Sequence, residues 1–251
     1  MPTRFTDLHL VLPSEVARRD LLVDDAGRIM AHLPPEAPTP PGTAVISGGG
    51  AYAFPGMVDV LTHGFGPHLY KDCTPGGVAE CSRLLPRHGV TAFAPSLTSE
   101  RPEVLLEQLR LLASQCESPA ARCLGVHSEG PFLGSPGAHR PEALSNPTPA
   151  LAEAMLRAGG GKLAFVTLAG ELPGAPEFCA EMRRAGVGLH LGHTCARADQ
   201  VPAIGGMGFN AVTHVYDVFR PAEVTEPGVY PLSLVDAILA DERLALGLIC
   251  D

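Results

Sequence analysis

The sequence predicts an α/β protein, in which a parallel sheet or barrel of βα repeats follows a small β unit. Two observations lead to this fold class. From residue 55 onward, short apolar segments alternate with stretches long enough for helices, which is typical of βα repeats. Before residue 55, apolar runs separated by turn residues are typical of short strands. We therefore expect one domain at residues 1–54 and a second at residues 55–251.

The first domain contains three apolar runs that predict strands. They are "LHLVL", "DLLVDDAGRIMAHL", which is divided by an Asp-Ala-Gly turn, and "AVISGGGAYAF", which follows a proline-rich link. We expect these strands to pair antiparallel. The "SGGG" in the last run lacks the Lys-Ser/Thr of a phosphate loop, so we expect a turn there.

Seven apolar segments predict the strands of the second domain. In order, they lie in "VDVLTHG", "VTAFAPSLTS", "CLGVHSEGPF", "LAFVTLAG", "VGLHLGHT", "FNAVTHVYD" and "LALGLICD". Helix-like sequence such as "RPEVLLEQLRLLASQC" follows every segment except the last. A closed barrel needs an eighth strand.

Composition excludes several classes of function. The 251 residues are 45% hydrophobic and 18% charged, with a net charge of −9 and no cluster of Lys or Arg, so we expect no nucleic-acid partner. No apolar run reaches the roughly 20 residues of a membrane span, and the N-terminus lacks the apolar core of a signal peptide. We therefore expect a cytoplasmic protein without a membrane partner. The seven cysteines contain no C-x-x-C pair and are expected to be reduced thiols.

Histidine and glutamate recur where the predicted strands end. His63 follows the first strand, His127 and Glu129 the third, His193 the fifth and His214 the sixth. In a βα barrel these strand ends meet at one face, where active sites lie. Any one of these histidines alone is better explained as a core or surface group. Together they favour a site for a zinc-type divalent ion of the kind used in hydrolysis.

The same segments resemble a known family. "FPGMVDVLTHG", "GVTAFAPSLTS", "GVHSEGPFLGSPGAH", "VTLAGE", "LHLGHT" and "VTHVYD" occur in the order expected of the amidohydrolase superfamily. Within it, they are similar to the N-acetylglucosamine-6-phosphate deacetylases from about Val23 onward. The resemblance implies a (β/α)8 TIM-type barrel of the amidohydrolase kind and a small β-sandwich built from both chain ends. It also implies removal of acetate from a small amino-sugar substrate, and a homodimer in the complete family form.

The resemblance also assigns roles to individual residues. Three residues match the principal metal ligands of the family: Glu129, His193 and His214. His139 matches its substrate-contacting histidine. Binuclear members carry H-x-H on the first strand, whereas this chain has Leu61 and His63, so we expect one ion, with His63 as a further candidate ligand. Zinc is the expected metal, and iron, cobalt and manganese remain alternatives.

Two departures from the family concern substrate binding. Asp217 and Val218 replace an Asn-Ala pair that holds substrate, and Thr225 replaces an arginine that grips phosphate. Loss of a guanidinium removes a bidentate partner for phosphate, and Asp217 adds repulsion. These departures favour an unphosphorylated or cationic substrate.

The last predicted strand, "LALGLICD", matches the seventh strand of the family, whose motif continues as Gly-x-His. The resemblance therefore places a substrate-contacting histidine, the eighth strand, the aspartate general base and the remaining sandwich strands beyond Asp251. We expect an incomplete copy of the family barrel, missing its last strand, with part of the N-terminal β-sandwich. No catalytic residue is assigned within the chain, since Asp251 belongs to a different strand.

Three functions remain open. The first is deacetylation of an N-acetylated amino sugar, with N-acetylglucosamine 6-phosphate converted to glucosamine 6-phosphate and acetate in the complete protein. The second is another amidohydrolase reaction on an unphosphorylated substrate. Assays with a panel of substrates would distinguish it from the first. The third is a non-catalytic barrel fragment with a binding role, which the downstream DNA sequence would test.

Overall fold

The computed structural model describes residues 1–219 and 226–249. Thr225 and Asp251, which entered the sequence predictions, lie outside the described residues. The chain divides into two compact units, Met1–Gly56 and Met57–Asp251.

The N-terminal unit contains one four-stranded sheet. Its strands are β1 (Thr3–Val11), β2 (Val16–Val23), β3 (Ile29–Leu33) and β4 (Ala44–Ala53), in the order β3-β2-β1-β4. β2 pairs antiparallel with both β1 and β3, as predicted. The prediction was wrong for β4, which pairs parallel with β1. The proline-rich link at residues 34–43 returns the chain to the end of the sheet where β1 begins. β4 therefore starts beside the first residue of β1 and runs parallel to it.

Arg4 fixes the path of that link. Its buried guanidinium pairs with Asp20 at 2.6 Å and donates hydrogen bonds to the carbonyls of Pro35 and Ala37 at 3.1 and 2.6 Å. The "SGGG" segment lies inside β4, so the expected turn was also wrong. Gly49 and Gly50 have positive φ angles of 59° and 77°, and the β1–β4 register shifts beside them, which is typical of a bulge.

The second unit is built on a parallel sheet. Its strands are β5 (Met57–Thr62), β8 (Val90–Leu97), β9 (Arg122–Cys123), β10 (Val126–Glu129), β11 (Leu163–Leu168), β12 (Gly188–Leu191), β13 (Ala211–Val212) and β14 (Ala245–Leu246). A separate hairpin contains β6 (Gly64–Phe65) and β7 (His68–Leu69). The sheet order is β14-β13-β12-β11-β10-β8-β5, with β9 also paired to β8. These seven consecutive strands confirm the predicted partial (β/α)8 barrel.

Six helices belong to the described part of this unit. They are α1 (Gly77–Leu84), α2 (Pro102–Ala113), α3 (Pro149–Gly159), α4 (Ala175–Arg184), α5 (Val201–Gly206) and α6 (Leu234–Leu239). α2 shows why they pack: Leu105, Leu109 and Leu112 follow helical spacing and are buried on one face. Thr148 caps α3 by accepting a hydrogen bond from the Leu151 amide.

The core of this unit joins strand and helix side chains. Fully buried residues include Phe93 of β8, Leu168 of β11, Met155 of α3 and Phe178 of α4. Burial of such side chains stabilises the fold by about 1.5–3 kcal/mol each. Among the helices described, none is long and apolar enough to cross a membrane.

Candidate metal centre

Four imidazole rings surround the carboxylate of Glu129. Its Oε1 atom lies 3.2 Å from His193 Nε2 and 3.0 Å from His214 Nε2. Its Oε2 atom lies 2.9 Å from His63 Nε2 and 3.2 Å from His139 Nε2. Glu129, His193 and His214 are all buried. One buried carboxylate is thus the common neighbour of four ring nitrogens.

The parallel sheet brings these residues together. Glu129 is the last residue of β10, and His63 directly follows β5. His193 and His214 each lie two residues beyond the end of their strands, β12 and β13. His139 comes from the loop between β10 and α3. The structure therefore places the four predicted metal residues and the predicted substrate-contacting histidine at one end of the sheet.

The backbone is unusual at two of these histidines. The φ angles of His193 and His214 are 49° and 33°, within the left-handed region that favours glycine. Tyr216 and Val218 also have positive φ angles, 77° and 57°. Such conformations cost of order 1–3 kcal/mol each and cluster at functional sites, where the surrounding structure enforces them.

Hydrogen bonds fix the tautomers of His63 and His193. Nδ1 of His63 lies 3.2 Å from the Ser96 carbonyl, and Nδ1 of His193 lies 3.0 Å from the Ser135 carbonyl. A carbonyl oxygen only accepts, so each Nδ1 carries the proton and donates. When the ring is neutral, its Nε2 lone pair points towards Glu129, and when the ring is protonated, Nε2 instead donates to the carboxylate. The neutral form is the usual arrangement of metal-binding histidines.

His139 has the opposite tautomer. Its Nδ1 accepts a hydrogen bond of 3.0 Å from the Ser99 amide, so the proton lies on Nε2, which donates to Glu129. Donor atoms of Glu129, His139 and His193 lie within 4.8 Å of one another and could hold an ion on distance alone. The tautomer instead makes His139 a hydrogen-bond donor, since a protonated nitrogen has no lone pair for a metal.

The remaining groups fit a cation. When His193 is neutral, its Nε2 atom and Oε1 of Glu129 are both acceptors at 3.2 Å, and the Nε2 atoms of His193 and His214 lie 3.1 Å apart. Lone pairs at these distances repel unless a positive charge is shared between them. Imidazole nitrogen and carboxylate oxygen are ligands that zinc-type ions prefer. Nδ1 of His214 is buried without a hydrogen-bond partner in the described ranges.

The carboxylate and the rings change each other's pKa values. Burial alone would raise the pKa of Glu129, but hydrogen bonds from the four histidines hold it far below its usual range. Burial alone would lower the pKa values of His63 and His214, but the Glu129 carboxylate raises both. The metal-free cluster therefore retains protons that a metal ion must displace.

A cavity of about 580 Å³ opens onto the cluster. The predicted substrate residues Asp217 and Val218 line it together with His139. Lys71 and Arg140 also line it, and neither forms an ion pair with any residue that the structure describes. Their charges are therefore available to a ligand.

Some lining and supporting residues were not predicted. Lys71 and Arg140 follow no strand-end pattern, and only the position of Arg140 beside the "GAH" motif gave a signal. Ser99 lies two residues beyond β8, at the end of the quoted "VTAFAPSLTS" segment, but no role was predicted for it. Glu171 belongs to the quoted "VTLAGE" segment, but its contacts with the residues after His193 have no signature in a single sequence.

Two other buried histidines, His127 and His190, lie outside the cluster. His127 is enclosed between the Val60 carbonyl at 2.6 Å and the Thr167 hydroxyl at 2.8 Å. Burial lowers the pKa of His127 to about 4 and that of His190 to about 3. Both rings are therefore neutral at physiological pH and pack against each other, with centroids 5.0 Å apart.

Comparison with known proteins identifies the family. No protein-family model matches the chain. The crystal structure of N-acetyl-D-glucosamine-6-phosphate deacetylase from Mycobacterium smegmatis is 31% identical, with a TM-score of 0.80 over 99% of this chain and 68% of that chain. The chain belongs to the N-acetylglucosamine-6-phosphate deacetylase family. The sequence resemblance is thereby confirmed.

Curated relatives agree with this family. N-acetylglucosamine-6-phosphate deacetylase from Mus musculus is 35% identical over 214 residues, which are 81% of this chain and 52% of the relative. N-acetylgalactosamine-6-phosphate deacetylase from Escherichia coli is 27% identical over 201 residues, 78% of this chain and 52% of the relative. The chain spans about half the length of these curated deacetylases.

Proposed function

We propose that this chain carries the metal-binding and substrate-binding part of a hydrolase that removes acetate from an N-acetylated amino-sugar 6-phosphate. The expected substrate is N-acetylglucosamine 6-phosphate. The observation that carries the proposal is the convergence of the Glu129 carboxylate with the His193 and His214 imidazoles at the end of a parallel sheet. A variant of the M. smegmatis deacetylase in complex with N-acetyl-D-glucosamine-6-phosphate, with a TM-score of 0.81 at 31% identity, supports it.

Three residues would hold one divalent ion in this proposal: Glu129, His193 and His214. His63 is a further candidate, because its tautomer also leaves Nε2 free. Zinc is the proposed ion, and iron, cobalt or manganese would accept the same donors. When bound, such an ion supplies a Lewis acid for an amide carbonyl and lowers the pKa of water.

His139 is assigned to the substrate. The Ser99 amide holds its Nδ1 atom as an acceptor, which keeps the proton on Nε2 beside the cavity. In the structure this donor contacts Glu129. Once Glu129 holds an ion, the same donor could instead stabilise the negative charge that develops on an amide oxygen during hydrolysis. His139 would therefore orient the acetamide group and favour its reaction.

Hydrolysis also requires a carboxylate or imidazole that moves protons. From the family resemblance, we propose that an aspartate outside this chain supplies this general base. Within the described part of the chain, the carboxylates that line the cavity are Glu100, Glu129 and Asp217. Glu129 is occupied by the histidines, so Asp217 is the residue of this chain to test as an alternative base.

The charges of the cavity bear on the substrate class. The side chains of Lys71 and Arg140 favour a phosphorylated sugar, because both cations lack an acidic partner among the described residues. Asp217 and Glu100 in the same lining favour the second candidate, an amide substrate without phosphate. We propose the phosphorylated sugar, since the two cations can bind a dianion directly.

Two further properties belong to the proposal. We place the protein in the cytoplasm, where phosphorylated sugars occur as metabolic intermediates. We also propose a homodimer in the complete family form. Size-exclusion chromatography with light scattering tests the second, and cell fractionation tests the first.

The deciding experiment separates binding from turnover. Zinc-loaded chain is titrated calorimetrically with N-acetylglucosamine 6-phosphate and with N-acetylglucosamine, and acetate release is followed for both sugars. The same assays use a version extended through an eighth strand that ends in aspartate. We expect the chain to bind the phosphorylated sugar more tightly, and the extended version to release acetate about 10²–10⁴ times faster than the chain. No binding of either sugar, or equal turnover of the two proteins, contradicts the proposal.

A further inference from the structure

We propose that Glu171 is a positioning residue for the metal ligand His193. The inference rests on the proposed metal site but concerns a residue outside it. Glu171 lies three residues beyond β11, does not line the cavity and does not contact Glu129. Its carboxylate instead holds the two residues that follow His193.

The segment after β12 needs such support. His193 has a φ angle of 49°, and the sheet pairing of β12 ends at Leu191. A left-handed histidine is disfavoured in an unconstrained chain. The ring reaches Glu129 only while this conformation persists, so groups that hold the segment control the position of Nε2.

Part of the support comes from the loop after β10. The carbonyl of His193 accepts hydrogen bonds from the amides of Gly134 and Ser135 at 2.9 and 2.8 Å. The ring Nδ1 donates to the Ser135 carbonyl at 3.0 Å. These contacts fix His193 from one side.

Glu171 fixes the segment from the other side. Its Oε2 accepts a 2.5 Å hydrogen bond from the Thr194 hydroxyl, and its Oε1 accepts a 2.6 Å hydrogen bond from the Cys195 amide. Thr194 is fully buried, and its hydroxyl also accepts from the Ala196 amide at 3.1 Å. One carboxylate therefore accepts from the side chain of Thr194 and from the backbone of Cys195, in a segment that lies beyond the sheet pairing.

Gly134, in the loop after β10, lies against both the His193 segment and the Glu171 carboxylate. A Cβ atom there would lie 2.5 Å from Oε1 of Glu171 and 3.3 Å from the His193 carbonyl oxygen. The loop, the His193 segment and the Glu171 carboxylate are thus packed too closely for a side chain. Displacement of Glu171 would be transmitted directly to His193.

The test measures cobalt(II) binding, which reports ligand geometry through visible absorption and does not depend on deacetylation. In Glu171→Gln, the amide can accept only one of the two hydrogen bonds. We expect its dissociation constant for cobalt to rise by about 10- to 100-fold, the typical effect of losing an outer hydrogen bond at a metal site. Glu177→Gln, the same change at an exposed position of α4, should leave cobalt affinity unchanged.

A second pair of variants keeps the inference testable if Glu171→Gln does not fold. Thr194→Val removes the hydroxyl donor, and Thr194→Ser restores it. We expect weak cobalt binding and an altered spectrum in the valine variant, and wild-type behaviour in the serine variant. Thermal unfolding of the metal-free proteins shows whether each variant is folded.

The outcomes separate this inference from the proposed function. Wild-type cobalt affinity in Glu171→Gln, or in Thr194→Val where only that pair folds, overturns the positioning role. Equal losses in the valine and serine variants also overturn it. A wild-type protein that binds no cobalt overturns the metal site and this inference together. Cobalt binding without deacetylation contradicts only the proposed reaction.

Discussion

The Nε2 atoms of His193 and His214 lie 3.1 Å apart, and both contact the same oxygen of Glu129. Two imidazole nitrogens are stable at this distance when a proton or a metal ion lies between them, because their lone pairs otherwise repel. The relationship makes the metal content of the protein the first property to measure.

Replacing either histidine should release the ion. We expect about one zinc per chain in the wild-type protein and, for His193→Ala and His214→Ala, affinities lower by more than about 100-fold, because even outer contacts of a metal site are typically worth about 10- to 100-fold. Inductively coupled plasma mass spectrometry after dialysis measures the content. His32→Ala, an exposed position on β3, is the control. Zinc retained by both site variants would refute the assignment.

His139 should behave differently from the ligands. Because its Nδ1 accepts from the Ser99 amide, its Nε2 is a donor and has no lone pair for the ion. We expect His139→Ala to retain zinc while its turnover, in a version competent for hydrolysis, falls by about 10²-fold, as for other donors to a developing oxyanion. Zinc analysis and acetate release are measured on the same samples. Loss of zinc from this variant would make His139 a ligand.

Lys71 and Arg140, which line the cavity and form no ion pair with a described residue, should determine phosphate binding. We expect Lys71→Ala and Arg140→Ala each to weaken binding of N-acetylglucosamine 6-phosphate about tenfold, which corresponds to about 1.4 kcal/mol. Binding of the unphosphorylated sugar should not change, and the difference should shrink at high salt. Arg157→Ala, on the exposed face of α3, is the matched control. Equal effects on the two sugars would contradict a phosphate contact.

Asp217 should act in the opposite direction. Its carboxylate lines the same cavity and repels a dianion, so Asp217→Asn should strengthen binding of the phosphorylated sugar. Calorimetric titration of the wild type and the variant with both sugars measures the change. An unchanged preference between the sugars would show that Asp217 does not face the phosphate.

Cys123 should be more reactive than an ordinary cysteine. A hydrogen bond from the Cys116 thiol lowers the pKa of the Cys123 thiol; burial opposes this, while the Gly125 amide and the Lys162 ammonium add to it. The midpoint of its alkylation should therefore lie at a lower pH than that of a free thiol, whose pKa is about 8.5. In Cys116→Ala the midpoint should move to higher pH. Peptide mapping after iodoacetamide pulses measures both, and an unchanged midpoint would contradict the thiol contact.

Much of the metal centre could be predicted because its residues follow a rule of the fold. Parallel strands end at one edge, so Glu129, His193 and His214 could be placed together from their positions after three apolar segments. The family resemblance then predicted different roles: these three residues as metal ligands and His139 as a substrate-contacting residue. The tautomer of His139, which the Ser99 amide sets, is a tertiary feature that no sequence pattern encodes.

Other features depended on tertiary contacts. The parallel pairing of β4 follows from the route of a proline-rich link that Arg4 fixes, and local patterns predict strands better than their partners. Glu171 meets the residues after His193 across 23 positions of sequence. Lys71 and Arg140 line the same cavity from segments about 70 residues apart in the sequence. Long-range contacts of this kind leave no periodic pattern in the sequence from which they could be predicted.

The order of strands in the parallel sheet implies unequal rates of local opening. β10, β11 and β12 are bonded on both sides, whereas β5 and β14 lie at the ends of the described order. We expect amide hydrogens of the three central strands to exchange with deuterium slowest, and those of the end strands fastest. Glu129 and the strand before His193 belong to the slow region, while His63 follows β5. Transient opening at that border would detach His63 first and leave the Glu129–His193 contact formed. The centre would then lose its candidate fourth ligand long before the protein unfolds.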